Sequence, residues 1–282
     1  MPKEDTVCFQ SSGYRLHGIV HEAVGTARTT GLVLLNGWGG YRIGPHRMYV
    51  KAARAFAASG FPVLRFDFRG TGESDGTLAG NTAEDVRAFA DDTHAAIDFF
   101  RQRCAVERVY LLGLCTGGEI AVLYASGVGA VQGLILWSTA SHFELFQAEE
   151  PMRRLRHYSL VYLRKLTLGS TWRKIIRRGF HVRGVVRTLF ADFRGIRRPA
   201  QQPTESVGQP NLFSSLRGPV LLVYGTADPP AKPSYSFFET SLQSRRIPYN
   251  LHLIEGADAS FSSLPFVAEA CTSTLSWLTM QA

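Results

Sequence analysis

Short, unbroken apolar runs recur along most of the chain: GLVLLN (31–36), FPVLRFD (61–67), RVYLLG (108–113), VQGLILW (131–137), PVLLVYG (219–225) and YNLHLIE (249–255). Their length suits strands, and their lack of alternation suits strands covered on both faces, as in a parallel sheet. The segments between them carry apolar residues at helical spacing, which predicts helices near 47–59, 82–103, 117–127, 234–245 and 264–280. The first 24 residues follow another rule. TVCFQ and YRLHGIVHEA alternate apolar with polar residues and are joined through SSG, the pattern of an antiparallel hairpin. The predicted fold class is α/β: a mostly parallel central sheet, doubly wound by helices, with an antiparallel N-terminal hairpin at its edge.

One interval breaks the rhythm. Between Trp137 and Pro219 no strand pattern occurs, whereas Trp172, Ile175, Ile176, Gly179 and Phe180, then Val182, Val185, Val186, Leu189 and Phe190, recur at helical spacing with arginines on the other face. Residues 141–215 are therefore expected to form a helical cap inserted into a core made of 1–140 and 216–282. Charge singles out the same interval. Residues 151–200 hold fourteen Arg and Lys against one acid, Asp192, in a chain whose net charge is only +8. A solvated helix face normally mixes signs, so this excess predicts an anionic partner. The candidates are CoA phosphates or a phosphopantetheine carrier protein, met by Arg164, Lys165, Arg173, Lys174 and Arg177, or an anionic membrane surface. No nucleic-acid recognition motif accompanies the charge. No apolar run reaches the ~18–20 residues of a membrane span, and MPKEDTVCFQ lacks the apolar stretch of a signal peptide. Four widely spaced cysteines with no metal-ligand spacing point to free thiols in the cytoplasm, with peripheral membrane association as an option, and to no metal or cofactor.

Chemistry concentrates at LGLCTGGE (112–119). Gly113-Leu114-Cys115-Thr116-Gly117 places a cysteine between small residues, after a strand and before a helix. A nucleophile on so sharp a turn needs glycines around it, and the following helix N-terminus favours the thiolate. The Thr116 N–H then faces a developing oxyanion, with a second donor expected from Gly37 and Trp38 in NGWGG after the first parallel strand. Asp228 in VYGTADPP follows the penultimate strand, where the acid of a nucleophile–acid–His order belongs, although an Asp before prolines also suits a turn. The glycine-rich FRGTGESDG (68–76) lacks the lysine of a phosphate-binding loop and reads as a loop beside the site, with Ser74 no nucleophile. The base is missing. After the last strand the chain reads LIEGADASFSS, with Ala259 where the histidine is expected; His252 reads as a strand residue and His46 as a loop residue.

These residues carry a resemblance. NGWGGYRIGPHRMYVKAARAFAASGFPVLRFDFRGTGESDG (36–76), LLGLCTGG and the phrase YLRKLTLGSTWRKIIRRG (162–179) resemble the exosortase-system-associated branch of the α/β-hydrolase family. The resemblance implies an α/β-hydrolase fold with Cys115 as nucleophile, Asp228 as acid and a base at 259, from which this sequence departs. Ala259 is then either a substitution that stops turnover in an otherwise active enzyme or a natural departure that leaves binding or base-independent acyl exchange. The expected activity is that of a cysteine-dependent acyl enzyme, a thioesterase, esterase or acyltransferase taking an acyl ester or thioester. The alternatives are a catalytically dead binding or scaffold protein of the same fold, and a dienelactone-type hydrolase.

Overall fold

The computed structural model of the protein describes residues 2–37, 40–77, 83–127, 131–141 and 212–281. Trp38 and most of the predicted cap, including Arg164, Lys165, Arg173, Lys174 and Arg177, lie outside the described residues.

The strands are β1 (Glu4–Ser11), β2 (Tyr14–His21), β3 (Thr30–Leu35), β4 (Val63–Phe66), β5 (Arg108–Leu114), β6 (Gly133–Trp137), β7 (Val220–Gly225) and β8 (Tyr249–Ile254). They form one eight-stranded sheet in the order β1-β2-β4-β3-β5-β6-β7-β8. β1 and β2 pair antiparallel through the two-residue turn Ser12-Gly13, whose φ values of 48° and 86° match the twist of a tight hairpin. β2 also pairs antiparallel with β4, and every pairing from β4 through β8 is parallel. The described helices are α1 (Met48–Ala58), α2 (Ala83–Cys104), α3 (Thr116–Gly127), α4 (Ala231–Ser244) and α5 (Leu264–Gln281).

Why the strand runs are continuously apolar is plain from what covers them. Val33, Leu35, Val109, Leu111, Leu134, Leu136, Val220 and Leu222 point into one core with residues of α2, α3 and α4, such as Phe100, Ile120 and Phe238. The alternate residues, Leu32, Leu34, Tyr110, Leu112, Ile135, Trp137, Leu221 and Val223, point into a second core with Met48, Tyr49 and Phe56 of α1 and Ala270, Trp277 and Leu278 of α5. Both faces are buried, so period two disappears from the sequence. Leu212, Phe213 and Leu216 return the chain to the first core before β7. The order of the sheet reverses beside β3, with β4 on one flank and β5 on the other. Such a switch point leaves a crevice at the carboxyl ends of the strands, where loops can meet a ligand.

Candidate active site

At the carboxyl end of β5 the backbone turns sharply. Cys115 has φ 53°, in the left-handed region that a side chain other than glycine's rarely adopts. Its N–H donates to the Trp137 carbonyl at 2.9 Å, and its own carbonyl accepts from Gly118 N–H at 2.9 Å, which opens α3 immediately after it. The turn depends on its glycines. A Cβ on Gly113 would lie 2.3 Å from the Gly117 backbone, one on Gly117 2.1 Å from the Leu35 carbonyl oxygen, and one on Gly118 1.9 Å from Thr139 Oγ1. With those positions empty, Cys115 remains exposed while its neighbours Leu114 and Thr116 are buried. Thr116 Oγ1 lies 3.9 Å from Cys115 Sγ.

Gly37 faces this turn: a Cβ there would come within 3.5 Å of the Leu114 carbonyl oxygen and 3.8 Å of Gly117 N. Two devices hold it. Asn36 Nδ2 donates to the Phe66 carbonyl at 2.6 Å, and the Gly37 carbonyl accepts from Gly40 N–H at 3.0 Å. The loop beyond is fastened to buried Asp67, whose Oδ1 accepts from Arg42 N–H at 2.6 Å while its Oδ2 takes the Arg42 guanidinium. FRGTGESDG wraps the same carboxylate. A Cβ on Gly72 would fall 2.2 Å from Asp67 Oδ2. Ser74 donates its hydroxyl to the Asp67 carbonyl at 2.7 Å and accepts from His17 N–H at 2.9 Å, so it builds the loop.

Asp228 stands half-buried after β7, its N–H donating to the Gly225 carbonyl at 3.3 Å and its carbonyl accepting from Ala231 N–H at 3.0 Å. The next loop lies against it. Thr226 N–H donates to the Ile254 carbonyl at 3.0 Å, Ala227 N–H to the Ala257 carbonyl at 2.9 Å, and Gly256 N–H to Thr226 Oγ1 at 2.8 Å. Ala259 sits exposed at the crest of that loop. On either side of it Asp258 Oδ1 accepts from Ser262 N–H at 2.9 Å, and Phe261 is fully buried with its ring edge-on to Trp137. Burial works against the Asp258 carboxylate, but the Ser262 and Ser260 hydrogen bonds outweigh it and hold this carboxyl below its ordinary range. The loop is thus hydrogen-bonded and packed on both sides of Ala259, the position at which the sequence pattern predicts a histidine.

Cys115, Thr116, Gly37, Asp228 and Ala259 therefore collect at the carboxyl ends of β3, β5, β7 and β8. Two buried tyrosines that the sequence pattern did not single out support them. Tyr49 of α1 donates its hydroxyl to the Leu35 carbonyl at 2.7 Å and accepts from Leu114 N–H at 2.8 Å, bridging the strands that carry Gly37 and Cys115. Tyr224 of β7 donates to the Thr139 carbonyl at 2.7 Å. Burial raises the pKa of its hydroxyl, and negative charge at Asp228 and at Cys115 raises it further, so both groups lie within electrostatic reach of one phenol. Of the described histidines, His252 meets Glu269 at 3.0 Å, His94 meets Tyr124 Oη at 3.0 Å, His17 meets Cys8 Sγ at 3.4 Å, His21 is buried against Arg65, and His46 sits exposed ahead of α1. Among the described residues no three His, Cys, Asp or Glu side chains form a group able to hold a metal ion, and no helix is long and apolar enough to cross a membrane.

An eight-stranded, mostly parallel sheet with its left-handed elbow after the central strand defines an α/β hydrolase. The family model of the serine aminopeptidases of group S33 matches residues 34–192, and the chain belongs to that family. Solved structures are similar to it over nearly their whole length at low identity. An esterase of Pyrococcus furiosus aligns with TM-score 0.66 at 15% identity, covering 99% of this chain and 91% of its own. A dienelactone hydrolase of Anabaena variabilis aligns with TM-score 0.59 at 16% identity, covering 99% and 98%. An α/β serine hydrolase homologue of Coxiella burnetii aligns with TM-score 0.59 at 15% identity, covering 96% and 95%. At these identities the likeness is one of fold. No curated protein matches the sequence.

Proposed function

We propose that the protein is a cysteine-dependent acyl enzyme, in which Cys115 takes an acyl group from an ester or thioester and holds it as a thioester. The observation that carries this reading is Cys115 itself, exposed at φ 53° on the turn that opens α3. Left-handed strain at a residue other than glycine persists only where the surroundings enforce it, and here it falls on an exposed cysteine. The resemblance to the exosortase-system-associated branch supports the same nucleophile. In this reading the thiolate attacks the acyl carbonyl, and Thr116 N–H with the Gly37 and Trp38 backbone holds the oxyanion. Asp228 is the acid that would orient a histidine at 259. The basic run from Arg153 to Arg178, in a cap over 141–215, fits a CoA- or carrier-bound donor, with an anionic membrane surface as the rival partner.

The test is intact mass spectrometry after incubation with octanoyl-S-N-acetylcysteamine. One octanoyl group is expected on the wild-type chain, located at Cys115 by peptide mapping and absent from Cys115→Ala. A wild-type chain that stays unacylated, or an adduct that persists in Cys115→Ala, overturns the reading. The first of these outcomes is what a dead binding protein of hydrolase fold would give, a reading that Ala259 favours.

A further inference from the structure

The nucleophile is sulfur and the base position is alanine. Each departs from the serine–histidine arrangement, and together they are chemically consistent. A serine hydroxyl must lose a proton as it attacks, and water must do so to release the acyl group, so both half-reactions need a base at 259. A thiol ionises by itself near neutral pH, more so at a helix N-terminus, and its attack moves no proton at the reacting carbon.

We infer that the protein exchanges acyl groups between thiols, the acceptor being a thiol and not water. The inference rests on the acyl-enzyme reading above and names its second substrate. In the first half, the Cys115 thiolate attacks a donor thioester, the new carbon–sulfur bond forms, the old one breaks, and the donor leaves as thiolate. In the second half, an acceptor thiolate attacks acyl-Cys115 and the Cys115 thiolate leaves. One carbon–sulfur bond forms and one breaks in each half, nothing is oxidised or reduced, and no general base is called upon. Hydrolysis through the same intermediate would require a proton to be taken from water.

Three observations favour exchange. First, the loop that displays residue 259 is fully built: Asp258 caps it through Ser262 N–H at 2.9 Å, Phe261 is buried against Trp137, and Ala227 N–H ties it to the Asp228 loop at 2.9 Å. A decayed site would not be expected to keep that frame. Second, from residue 255 to the C-terminus the chain contains no histidine or lysine, so this loop and α5 supply no imidazole or amine in place of the missing base, and the carboxylate beside it, Asp258, is taken up by Ser262 N–H and the Ser260 hydroxyl. Third, the elbow holds Cys115 solvent-exposed at the start of α3, where a thiolate is favoured. An amine acceptor is less suited: it is protonated near neutral pH and, like water, must shed a proton to form its product.

The experiment uses the full chain with octanoyl-S-N-acetylcysteamine as donor and CoA as acceptor, following octanoyl-CoA and free octanoate together. Octanoyl-CoA is expected to form at least about 100-fold faster than octanoate, the low end of what a general base contributes and hydrolysis lacks here. Cys115→Ser should lose the exchange, since a hydroxyl at that position has no base. Ala259→His should raise octanoate release and so reduce the ratio of exchange to hydrolysis. Octanoate released by the wild-type chain as fast as octanoyl-CoA overturns the inference, as does a loss of that release in His142→Ala, His157→Ala or His181→Ala, which would reveal a base in the cap. Octanoyl-Cys115 that forms but resists CoA overturns the inference and leaves the acyl-enzyme reading standing. A chain that never acylates overturns both.

Discussion

A single hydroxyl, that of Tyr49, sits where two strands part. Leu35 and Gly113 are the last paired residues of β3 and β5, and beyond them the chains diverge toward Gly37 and Cys115. The Leu35 carbonyl and the Leu114 N–H need partners just there, and Tyr49 meets both, at 2.7 Å and 2.8 Å, from a side chain 1% exposed. Burial raises the pKa of this phenol, and negative charge at Cys115 raises it further, in keeping with a group that stays a neutral donor beside the proposed nucleophile. Tyr49→Phe keeps the ring and removes only the bridge. It is expected to cost about 1–3 kcal/mol in urea unfolding, the cost of leaving buried backbone groups unpaired. Under the proposed function, acylation of Cys115 should slow as well, by roughly tenfold or more, because the separation of Gly37 from Cys115 is no longer held. Unchanged acylation with lowered stability would mean that Tyr49 serves the core alone. The elbow glycines act at the same scale but by exclusion: the Cβ that Gly117 lacks would sit 2.1 Å from a carbonyl oxygen that cannot move.

At the scale of elements, the strands and helices lie close to where hydrophobic patterning puts them, because runs such as GLVLLN are buried on both faces and leave few alternatives. Where a bound shifts, local chemistry accounts for it. α4 begins at Ala231, ahead of the expected 234, because Pro233 falls in the first turn, where no N–H is required of it. The elbow was legible for the same local reason: its glycines, cysteine and helix start are consecutive. The connections between loops were not, since they pair residues far apart in the chain. Asp67 lies in the apolar run before a glycine-rich loop and gives no hint of Arg42, yet the two fasten the loop that follows Gly37 to the loop 68–76. Asp67→Asn leaves the Arg42 guanidinium facing a neutral amide at a fully buried site. A loss of about 3 kcal/mol is expected by chemical denaturation, the low end for breaking a buried pair. Acylation of Cys115 should slow with it, whereas Glu73→Gln, at an exposed partner of the same arginine, should cost less than about 1 kcal/mol.

Across the whole molecule, the sheet joins two different constructions, and acid should separate them. From β4 to β8 the strands are parallel and covered by helices, whereas β1 and β2 are an antiparallel hairpin added at one edge. The joint is His21 of β2, fully buried, whose Nε2 accepts from Arg65 Nε of β4 at 2.8 Å. Arg65 Nη1 continues to the Arg42 carbonyl at 3.2 Å, linking this edge to the loop beside the site. His21 must be neutral to accept that bond, since a second proton would point at the guanidinium. Burial pushes its pKa down to about 4, and the charges of Arg65 and Arg54 add to this against the opposing Glu4, whose carboxylate is 3.7 Å from Nδ1. The sign follows from the depressed value. Below the unfolded value of about 6.5 the unfolded chain takes up a proton that the native chain refuses until pH 4, so stability is complete above pH 6.5 and drains away between the two. Between pH 7 and pH 5 this one residue is expected to account for about 2 kcal/mol of lost stability. His21→Gln retains an acceptor for Arg65 without the titration. It should be somewhat less stable at pH 7, and its stability should fall by about 2 kcal/mol less over the same interval. Urea unfolding at pH 7, 6 and 5 compares the two slopes; parallel curves would place the acid sensitivity elsewhere. The carboxylates titrate mostly below pH 5, so the window separates His21 from them.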